Sequence, residues 1–148
     1  MLIGLPALLG PELLFTLRAM GHGDELAIVD GNYPAEEHGR RVIRADGLEL
    51  IPVLDAVLQV LPVDDFVAQA IFRATVKGDP AALDPVHQEI IDVCARRAPG
   101  FAVVPLAGDA FYDRVRAAHT IIATSEPRLY GNVIVRKGVI YPERSGTS

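Results

Sequence analysis

The sequence contains little cysteine, no long apolar run and no excess of basic residues. Its single cysteine, Cys94, has no partner for a disulfide within the chain, which favours a reducing compartment, so we expect a cytoplasmic protein. No stretch reaches the ~18 apolar residues of a membrane span, because Asp55 and Gln59 interrupt the closest candidate, so we expect no membrane contact. The formal net charge of -5 argues against nucleic acid as a partner, because nucleic acid needs a basic surface.

Motifs for common cofactors and metals are missing as well. The sequence has no GxGxxG, no P-loop and no GxSxG, so nucleotide binding and serine-hydrolase chemistry have no support. It has neither HExxH nor paired cysteines, and the spacing of His22, Asp24, Asp30 and His38 matches no known metal pattern,. We therefore expect neither a cofactor nor a metal, and a metal-dependent enzyme is kept only as a weaker alternative.

Apolar residues, in contrast, are abundant. They make up 50% of the 148 residues, and the mean hydropathy is +0.27. A chain of this length forms a full core without disulfides or metals, so we expect one domain over residues 1–142 and a flexible tail over residues 143–148. The apolar surplus predicts association into a homo-oligomer, and the acidic balance favours a neutral small-molecule ligand.

Helical and extended patterns alternate along the chain. Pro11 and Glu12 suit the first turn of a helix that ends near Gly21, Asp84 and Pro85 begin another, and Asp109 is a reasonable N-cap for a third. Apolar residues at helical spacing predict a further helix over 50–61. Strands are expected at 25–30, 41–44, 66–76, 101–105, 120–124 and 132–136, the last two joined by a short loop that would let them pair antiparallel. This alternation predicts an α/β fold with a largely parallel sheet between helices.

His22 lies between Gly21 and Gly23, after a helix and just before a strand. Histidine is the side chain that titrates nearest neutral pH, and flanking glycines leave room for a small molecule, so His22 is a candidate general acid or base. The alternative is a histidine that caps a helix C-terminus, and the sequence favours neither. The other histidines, His38, His87 and His119, look structural.

Two further features predict a ligand site. Asp30 ends the apolar strand that follows His22, and ligands of open α/β sheets gather where strands end. Its carboxylate could accept hydrogen bonds from two sugar hydroxyls, and the alternative is an Asx-turn with Asn32 or Tyr33. The turn Tyr130-Gly131-Asn132 combines a phenol and a carboxamide with a close backbone approach, which suits a polyol or sugar, although the sequence alone favours a plain turn between strands.

These residues resemble the family of small sugar mutarotases that includes L-fucose mutarotase and D-ribose pyranase. The resemblance covers nearly the whole chain, and the GHGDE and IRADG strings make the fucose branch the more similar one. Its densest stretches are Pro11-Glu12-Leu13-Leu14, Met20-Gly21-His22-Gly23-Asp24-Glu25, Ile43-Arg44-Ala45-Asp46-Gly47, Ala110-Phe111-Tyr112, Tyr130-Gly131-Asn132 and Lys137-Gly138.

The resemblance implies a three-layer α/β/α sandwich, a decameric ring with sites near subunit interfaces, and a mutarotase that needs no cofactor or metal. His22 would be the proton donor, and Asp30, Tyr130, Gly131 and Asn132 would bind the sugar. One position departs from the family: Gly108 stands where the fucose branch has an arginine and the ribose branch a histidine. This loss of a donor leaves L-fucose or a related sugar open as substrate. It also supports the alternative of a non-catalytic, regulatory sugar-binding module.

Overall fold

The computed structural model describes residues 1–143, so the predicted tail at 143–148 lies outside the described residues apart from Glu143. The strands are β1 (Glu25–Val29), β2 (Val42–Ala45), β3 (Ile71–Ala74), β4 (Val103–Leu106), β5 (Thr120–Thr124) and β6 (Val133–Arg136). The helices are α1 (Pro11–Ala19), α2 (Ala35–His38), α3 (Leu50–Leu58), α4 (Pro85–Arg97) and α5 (Gly108–Ala117). None of the helices in this part of the chain is long and apolar enough to cross a lipid bilayer.

The strands form one sheet in the order β2-β5-β1-β6-β3-β4. The pairs β2–β5, β5–β1 and β3–β4 are parallel, and β6 runs antiparallel between β1 and β3. The largely parallel sheet is therefore confirmed, but the expected antiparallel pairing of the last two strands is wrong. Both edges of β5 are occupied by the parallel partners β1 and β2, so β6 pairs with β1 and β3 instead.

Side chains alternate across the sheet and supply two separate cores. Leu26 and Ile28 of β1 join the core that contains α1, α3 and α4. Ala27 and Val29 join the core on the opposite face, which contains α2 and α5. Helices thus cover both faces of the sheet, and the three-layer α/β/α sandwich is confirmed.

Two local predictions need correction. The strand expected over 66–76 is limited to Ile71–Ala74, because Oδ1 of Asp64 accepts the Phe66 backbone N–H at 3.0 Å and so bends the preceding segment into a turn. Asp109 is not the N-cap of α5: the cap is Ala107, and Asp109 lies in the first helical turn, where its charge suits the helix dipole.

Candidate functional site

Asp30 and Asn132, although 102 residues apart, meet at one edge of the sheet. Asp30 follows β1 and Asn132 precedes β6, and since these strands are antiparallel neighbours, the two ends coincide. The backbone N–H of Asp30 donates to Oδ1 of Asn132 at 2.8 Å. The five parallel strands end on this side, which we call the C-terminal edge.

The carboxylate of Asp30 is buried, with 5% of the residue exposed. Its Oδ1 accepts the backbone N–H of Asn32 at 2.9 Å. Burial raises the pKa of Asp30, and hydrogen bonds from the Asn32 backbone and the Asn132 side chain offset part of that rise. The arrangement fixes a strong acceptor beside the carboxamide of Asn132, whose NH₂ group is a donor.

The turn before β6 is held rigidly by α4. Tyr130 has a φ of +61°, and its carbonyl accepts Nε2–H of the fully buried His87 at 2.8 Å. Nδ1 of His87 accepts the Asp84 backbone N–H at 3.3 Å, so the ring is neutral with its proton on Nε2, and burial lowers its pKa. A Cβ on Gly131 would lie 3.2 Å from the Arg128 carbonyl oxygen. A side chain at position 131 would therefore make its neighbours shift by a few tenths of an ångström, and glycine avoids this.

Around these groups lies a cavity of about 190 Å³, which we call the cleft. This volume is below the ~300–1,000 Å³ of pockets for drug-sized ligands and suits one small polar molecule. Three phenol rings, two amides and one carboxylate dominate its wall, so donors and acceptors are interleaved as hydroxyl recognition requires. The lining residues are Asp30, Asn32, Tyr33, Pro34, Tyr112, Leu129, Tyr130 and Asn132.

A larger cavity, about 510 Å³, lies elsewhere and has a different character. Its wall is mainly aliphatic, with Leu14, Leu17 and Ile140 among its residues, and Arg18 and Lys137 at its margin. A sugar would leave most of its hydroxyls unpaired against such a wall, at a cost in free energy for each one. The smaller cleft is therefore the better candidate for a polyol.

Gly108 is the first residue of α5 and follows β4, so it lies at the C-terminal edge. A Cβ built on it would have no neighbour within 4 Å. Tyr112, one helical turn further along α5, lines the cleft. Position 108 therefore has open space for a long side chain, although the chain has glycine there.

His22 lies at the opposite, N-terminal edge, in the turn between α1 and β1. Gly23 in this turn has a φ of +88°, and a Cβ on it would lie 3.0 Å from Nη2 of Arg136. The Gly23 N–H donates to the Lys137 carbonyl at 2.8 Å, and Nζ of Lys137 donates to the Leu17 carbonyl of α1 at 2.7 Å. Gly23 is thus explained by backbone geometry and close packing, and the turn that carries His22 is tied to both α1 and β6.

Beneath His22 lies Asp64, a fully buried carboxylate. Its Oδ1 is 3.0 Å from Nε2 of His22, and its Oδ2 accepts Nε–H of Arg136 at 2.7 Å. Burial alone would raise the pKa of Asp64, but the hydrogen bonds from Arg136, from the Phe66 N–H and from His22 lower it to about 2. Asp64 is therefore ionised at neutral pH.

This pairing determines which nitrogen of His22 is available. An ionised carboxylate only accepts hydrogen bonds, so Nε2 of His22 carries a proton, and in the neutral ring Nδ1 holds the free lone pair. The His22 side chain is 37% exposed, and the Phe66 ring packs edge-on against it at 4.6 Å between centroids. His22 is thus oriented on one side and open on the other, as a proton-transfer group must be.

The candidate residues form two groups rather than one. Asp30, Tyr130 and Asn132 line the cleft, and the backbone of Gly131 lies between the last two. His22 precedes β1, whereas Asp30 follows it, and the five residues of β1 alone extend about 16 Å. A single copy of the chain therefore does not bring His22 to the cleft.

Metal-ligating side chains are likewise dispersed. Within residues 1–143, no group of three or more His, Cys, Asp or Glu side chains is arranged to hold a metal ion. Of the four residues considered as ligands, His22 and Asp30 lie at opposite edges of the sheet. His38 instead contacts Tyr33 and Arg116.

Three residues take part in these groups in ways that the sequence did not predict. Asp64 is 42 residues from His22, His87 is 43 residues from Tyr130, and Tyr33 stands in a segment that reads as a turn. For Asp64 and His87, the separation exceeds any motif spacing. For Tyr33 a signal existed: it is an aromatic residue three positions after the aspartate that ends a buried strand.

Comparison with known proteins agrees with this architecture. Residues 3–140 match the model of the RbsD / FucU transport protein family. The chain is 42% identical to the fucose mutarotase of Bos taurus, over 95% of each chain, and 41% identical to that of Homo sapiens, over 93% of each. The crystal structure of the fucose mutarotase from Streptococcus pneumoniae in complex with L-fucose superposes with a TM-score of 0.86 at 33% identity, covering 95% of this chain and 100% of that one.

The fold is that of the small α/β proteins among which fucose mutarotases are found, as the resemblance in the sequence predicted. The chain belongs to the RbsD / FucU family.

Proposed function

We propose that the protein interconverts the α and β anomers of a neutral monosaccharide, L-fucose or a closely related sugar, bound in the cleft. The observation that carries this proposal is the buried Asp30, whose backbone N–H donates to the Asn132 carboxamide and whose side chain lines a cavity of about 190 Å³ walled by phenols. Relatives named fucose mutarotase, and a related structure in complex with L-fucose, support the choice of sugar.

Asp30 and Asn132 would hold neighbouring sugar hydroxyls. The carboxylate accepts a charge-assisted hydrogen bond, and the Asn132 NH₂ donates to the next oxygen. Tyr130 contributes a phenol, which can both donate and accept a hydrogen bond. Gly131 keeps the turn close enough for the backbone to approach the ligand. Together these groups orient the ring without adding charge to the neutral substrate.

His22 of a neighbouring copy would complete the site. Because His22 and the cleft lie at opposite edges of the sheet, a contact joins them only if the N-terminal edge of one copy meets the C-terminal edge of the next. Such a head-to-tail contact generates a closed ring when its rotation closes. A ring of copies therefore fits this geometry, and the family resemblance favours a decamer.

Exposed apolar side chains at both edges support that contact. Near His22, the rings of Phe66 and Tyr141 stack at 6.3 Å and are more than half exposed. Beside the cleft, Leu129 is 59% exposed and Tyr112 is 40% exposed. Aromatic and aliphatic side chains of this kind are enriched in subunit interfaces. A contact between these two edges would bury both sets.

The reaction requires only two proton movements. A base removes the proton of the anomeric hydroxyl while an acid delivers one to the ring oxygen, the C1–O5 bond breaks, and the open aldehyde rotates. Reversal of these steps closes the ring on the other face of C1. Nδ1 of His22 takes the anomeric proton and then, as the imidazolium facing the Asp64 carboxylate, returns it to the ring oxygen. Acid–base assistance of this kind accelerates a reaction about 10²–10⁴-fold.

A second candidate is a sugar-binding module without turnover. Gly108 favours it, because the charged donor expected from the fucose branch is missing and the space beside α5 is open. This candidate predicts saturable binding of a sugar in the cleft with no acceleration of anomer exchange.

We also propose a cytoplasmic location. The chain has a single cysteine, Cys94, which is buried in α4 as a free thiol. Burial raises the pKa of this thiol to about 12, so it is inert. The absence of a disulfide in the sequence supports a reducing compartment.

Magnetisation-exchange NMR tests the proposal directly. The exchange rate between anomers is measured for L-fucose, D-ribose, L-rhamnose and D-galactose with the wild-type chain, with His22→Ala and with His119→Ala. His119 is the matched control, because it lies at the same edge but pairs with the adjacent Thr120 hydroxyl. We expect accelerated exchange with the wild type and the control, and loss with His22→Ala at unchanged assembly. Saturable binding without acceleration would favour the binding module, and full activity of His22→Ala would reject His22.

A further inference from the structure

Tyr33 lies in the loop between β1 and α2 and lines the cleft beside Asp30. Its ring packs edge-on against Tyr112 at 5.6 Å and against His38 at 5.3 Å between centroids. His38 belongs to α2 and Tyr112 to α5, and these two rings also pack against each other at 5.1 Å, so the three rings form one cluster. The phenol is therefore a rigid part of the cleft wall.

A chain of hydrogen bonds controls the direction of the Tyr33 hydroxyl. Nη2 of Arg116 lies 3.1 Å from Nε2 of His38, and a guanidinium only donates, so Nε2 is the acceptor. The ring proton of the neutral His38 must then sit on Nδ1, which lies 2.9 Å from the Tyr33 oxygen. Nδ1–H therefore donates to that oxygen. Burial, with the nearby Arg116 charge, lowers the pKa of His38, which keeps the ring neutral.

The Tyr33 hydroxyl consequently accepts from His38 and still has its own proton to donate. Among residues 1–143, His38 is the hydrogen-bond partner found for this oxygen. Burial raises the pKa of Tyr33, so the phenol stays protonated. The eight lining residues include no lysine, arginine or histidine. An oriented neutral donor is thus the kind of group that the cleft offers to a ligand oxygen.

We propose that Tyr33 determines which sugar the cleft accepts, by donating its phenolic hydrogen to one non-anomeric hydroxyl of the bound monosaccharide. His38 and Arg116 act as positioning residues that hold the Tyr33 oxygen as acceptor on one side and leave its hydrogen free on the other. This inference rests on the proposed function, because that function requires the sugar to occupy the cleft.

The test compares Tyr33→Phe with the wild type on L-fucose and its 2-deoxy, 3-deoxy and 4-deoxy derivatives. The dissociation constant is measured by NMR titration and the anomer exchange rate by magnetisation exchange. Tyr33→Phe removes one neutral hydrogen bond and keeps the ring, so we expect affinity for L-fucose to fall about fivefold. One deoxy sugar, which lacks the hydroxyl that Tyr33 contacts, should bind equally to both chains.

Arg116→Met tests the positioning role, with Arg96→Met as its matched control. Arg96 is an exposed arginine that pairs with Asp55 on the other face of the sheet. Arg116→Met frees His38 to change its tautomer, so we expect a weaker loss of affinity, about twofold, selective for the same hydroxyl as the Tyr33→Phe loss. Arg96→Met should bind all four sugars as the wild type does.

The outcomes separate the two proposals. If the wild-type chain binds L-fucose and its derivatives but Tyr33→Phe weakens all of them equally, or none, the role of Tyr33 is rejected while the cleft remains the sugar site. If the wild type binds none of the sugars, the proposed function fails and the inference fails with it. A Tyr33→Phe loss confined to sugars that carry one particular hydroxyl supports the inference and identifies that hydroxyl.

Discussion

Asp64 lies directly beneath His22, with its Oδ1 3.0 Å from Nε2 of the imidazole and its Oδ2 2.7 Å from Nε of Arg136. The carboxylate is fully buried, so this pairing orients the ring, assigns the Nε2 proton and supplies a negative charge where an imidazolium would form. A buried carboxylate that orients a histidine in this way is a recurring device of acid–base catalysis.

Asp64→Asn should therefore lower the maximal exchange rate about tenfold to a hundredfold. The amide keeps the shape but neither fixes the tautomer of His22 nor stabilises its protonated form. Sugar affinity should change little, because the sugar is held by the cleft. Saturation curves of the anomer exchange rate check this separation. Asp65→Asn is the matched control, since Asp65 is the next residue and contacts the Tyr141 hydroxyl; an equal loss there would contradict the assignment.

Acid should weaken the fold through the same carboxylate. The pKa of Asp64 is about 2 in the folded chain, below its ordinary value near ~3.9. A carboxyl with a lowered pKa stabilises the fold above its ordinary pKa, and this contribution is lost as the pH falls towards the folded value. The free energy of unfolding should thus decrease between about pH 4 and about pH 2. Urea titrations at several pH values measure the free energy of unfolding. Its decrease between about pH 4 and about pH 2 should be smaller for Asp64→Asn than for the wild type, and an equal decrease would contradict this account.

Mixed assemblies should regain activity that neither variant has alone. We expect His22→Ala and Asp30→Asn to be inactive separately, because each lacks one half of the site. The two variants are co-expressed with different tags, and mixed rings are purified through both tags. These rings should recover about a quarter of the wild-type exchange rate, since about one contact in four would join an intact His22 to an intact cleft. No recovery in co-purified rings would mean that both halves of the site come from one copy.

Gly108→Arg should strengthen the binding of L-fucose. The position has open space and an ordinary backbone conformation, so a long side chain is accommodated, and a charge-assisted hydrogen bond would lower the dissociation constant about tenfold. NMR titration of L-fucose measures the change. Gly10→Arg is the matched control, because Gly10 also stands at the start of a helix with no neighbour within 4 Å. Equal effects of both substitutions would exclude a specific contact.

Much of the architecture could be predicted from the sequence because it depends on local patterns. The apolar run ending at Asp30 and the helix that begins at Pro11 are read from neighbouring residues, and both were found where they were expected. The direction of β6 was also predictable, since a short loop reverses the chain. Its partners were not, because they depend on which strand edges the rest of the sheet leaves free.

The contacts that orient the site could not be predicted from local sequence patterns. Asp64 and His22, and likewise Arg116 and His38, approach each other only after the sheet has formed, at separations of 42 and 78 residues. No periodicity links such pairs. The short spacing from Asp30 to Tyr33 could have indicated that both belong to one site. However, the intervening Gly31-Asn32 is a turn-forming sequence, which accounts for the loop without any ligand.

The length of β1 has a consequence for how this protein can change. It holds His22, the proposed proton-transfer group, apart from the cleft that we propose binds the sugar, so the two proposed tasks occupy different surfaces of the same chain. If the proposed roles hold, substitutions at Tyr33 or at position 108 would change which sugar is accepted without disturbing the His22–Asp64 pair. In the proposed assembly, specificity could therefore change between related sugars while the acid–base chemistry stays the same. An isolated subunit, separated by dilution, would carry both groups of residues, but they would not form one complete site.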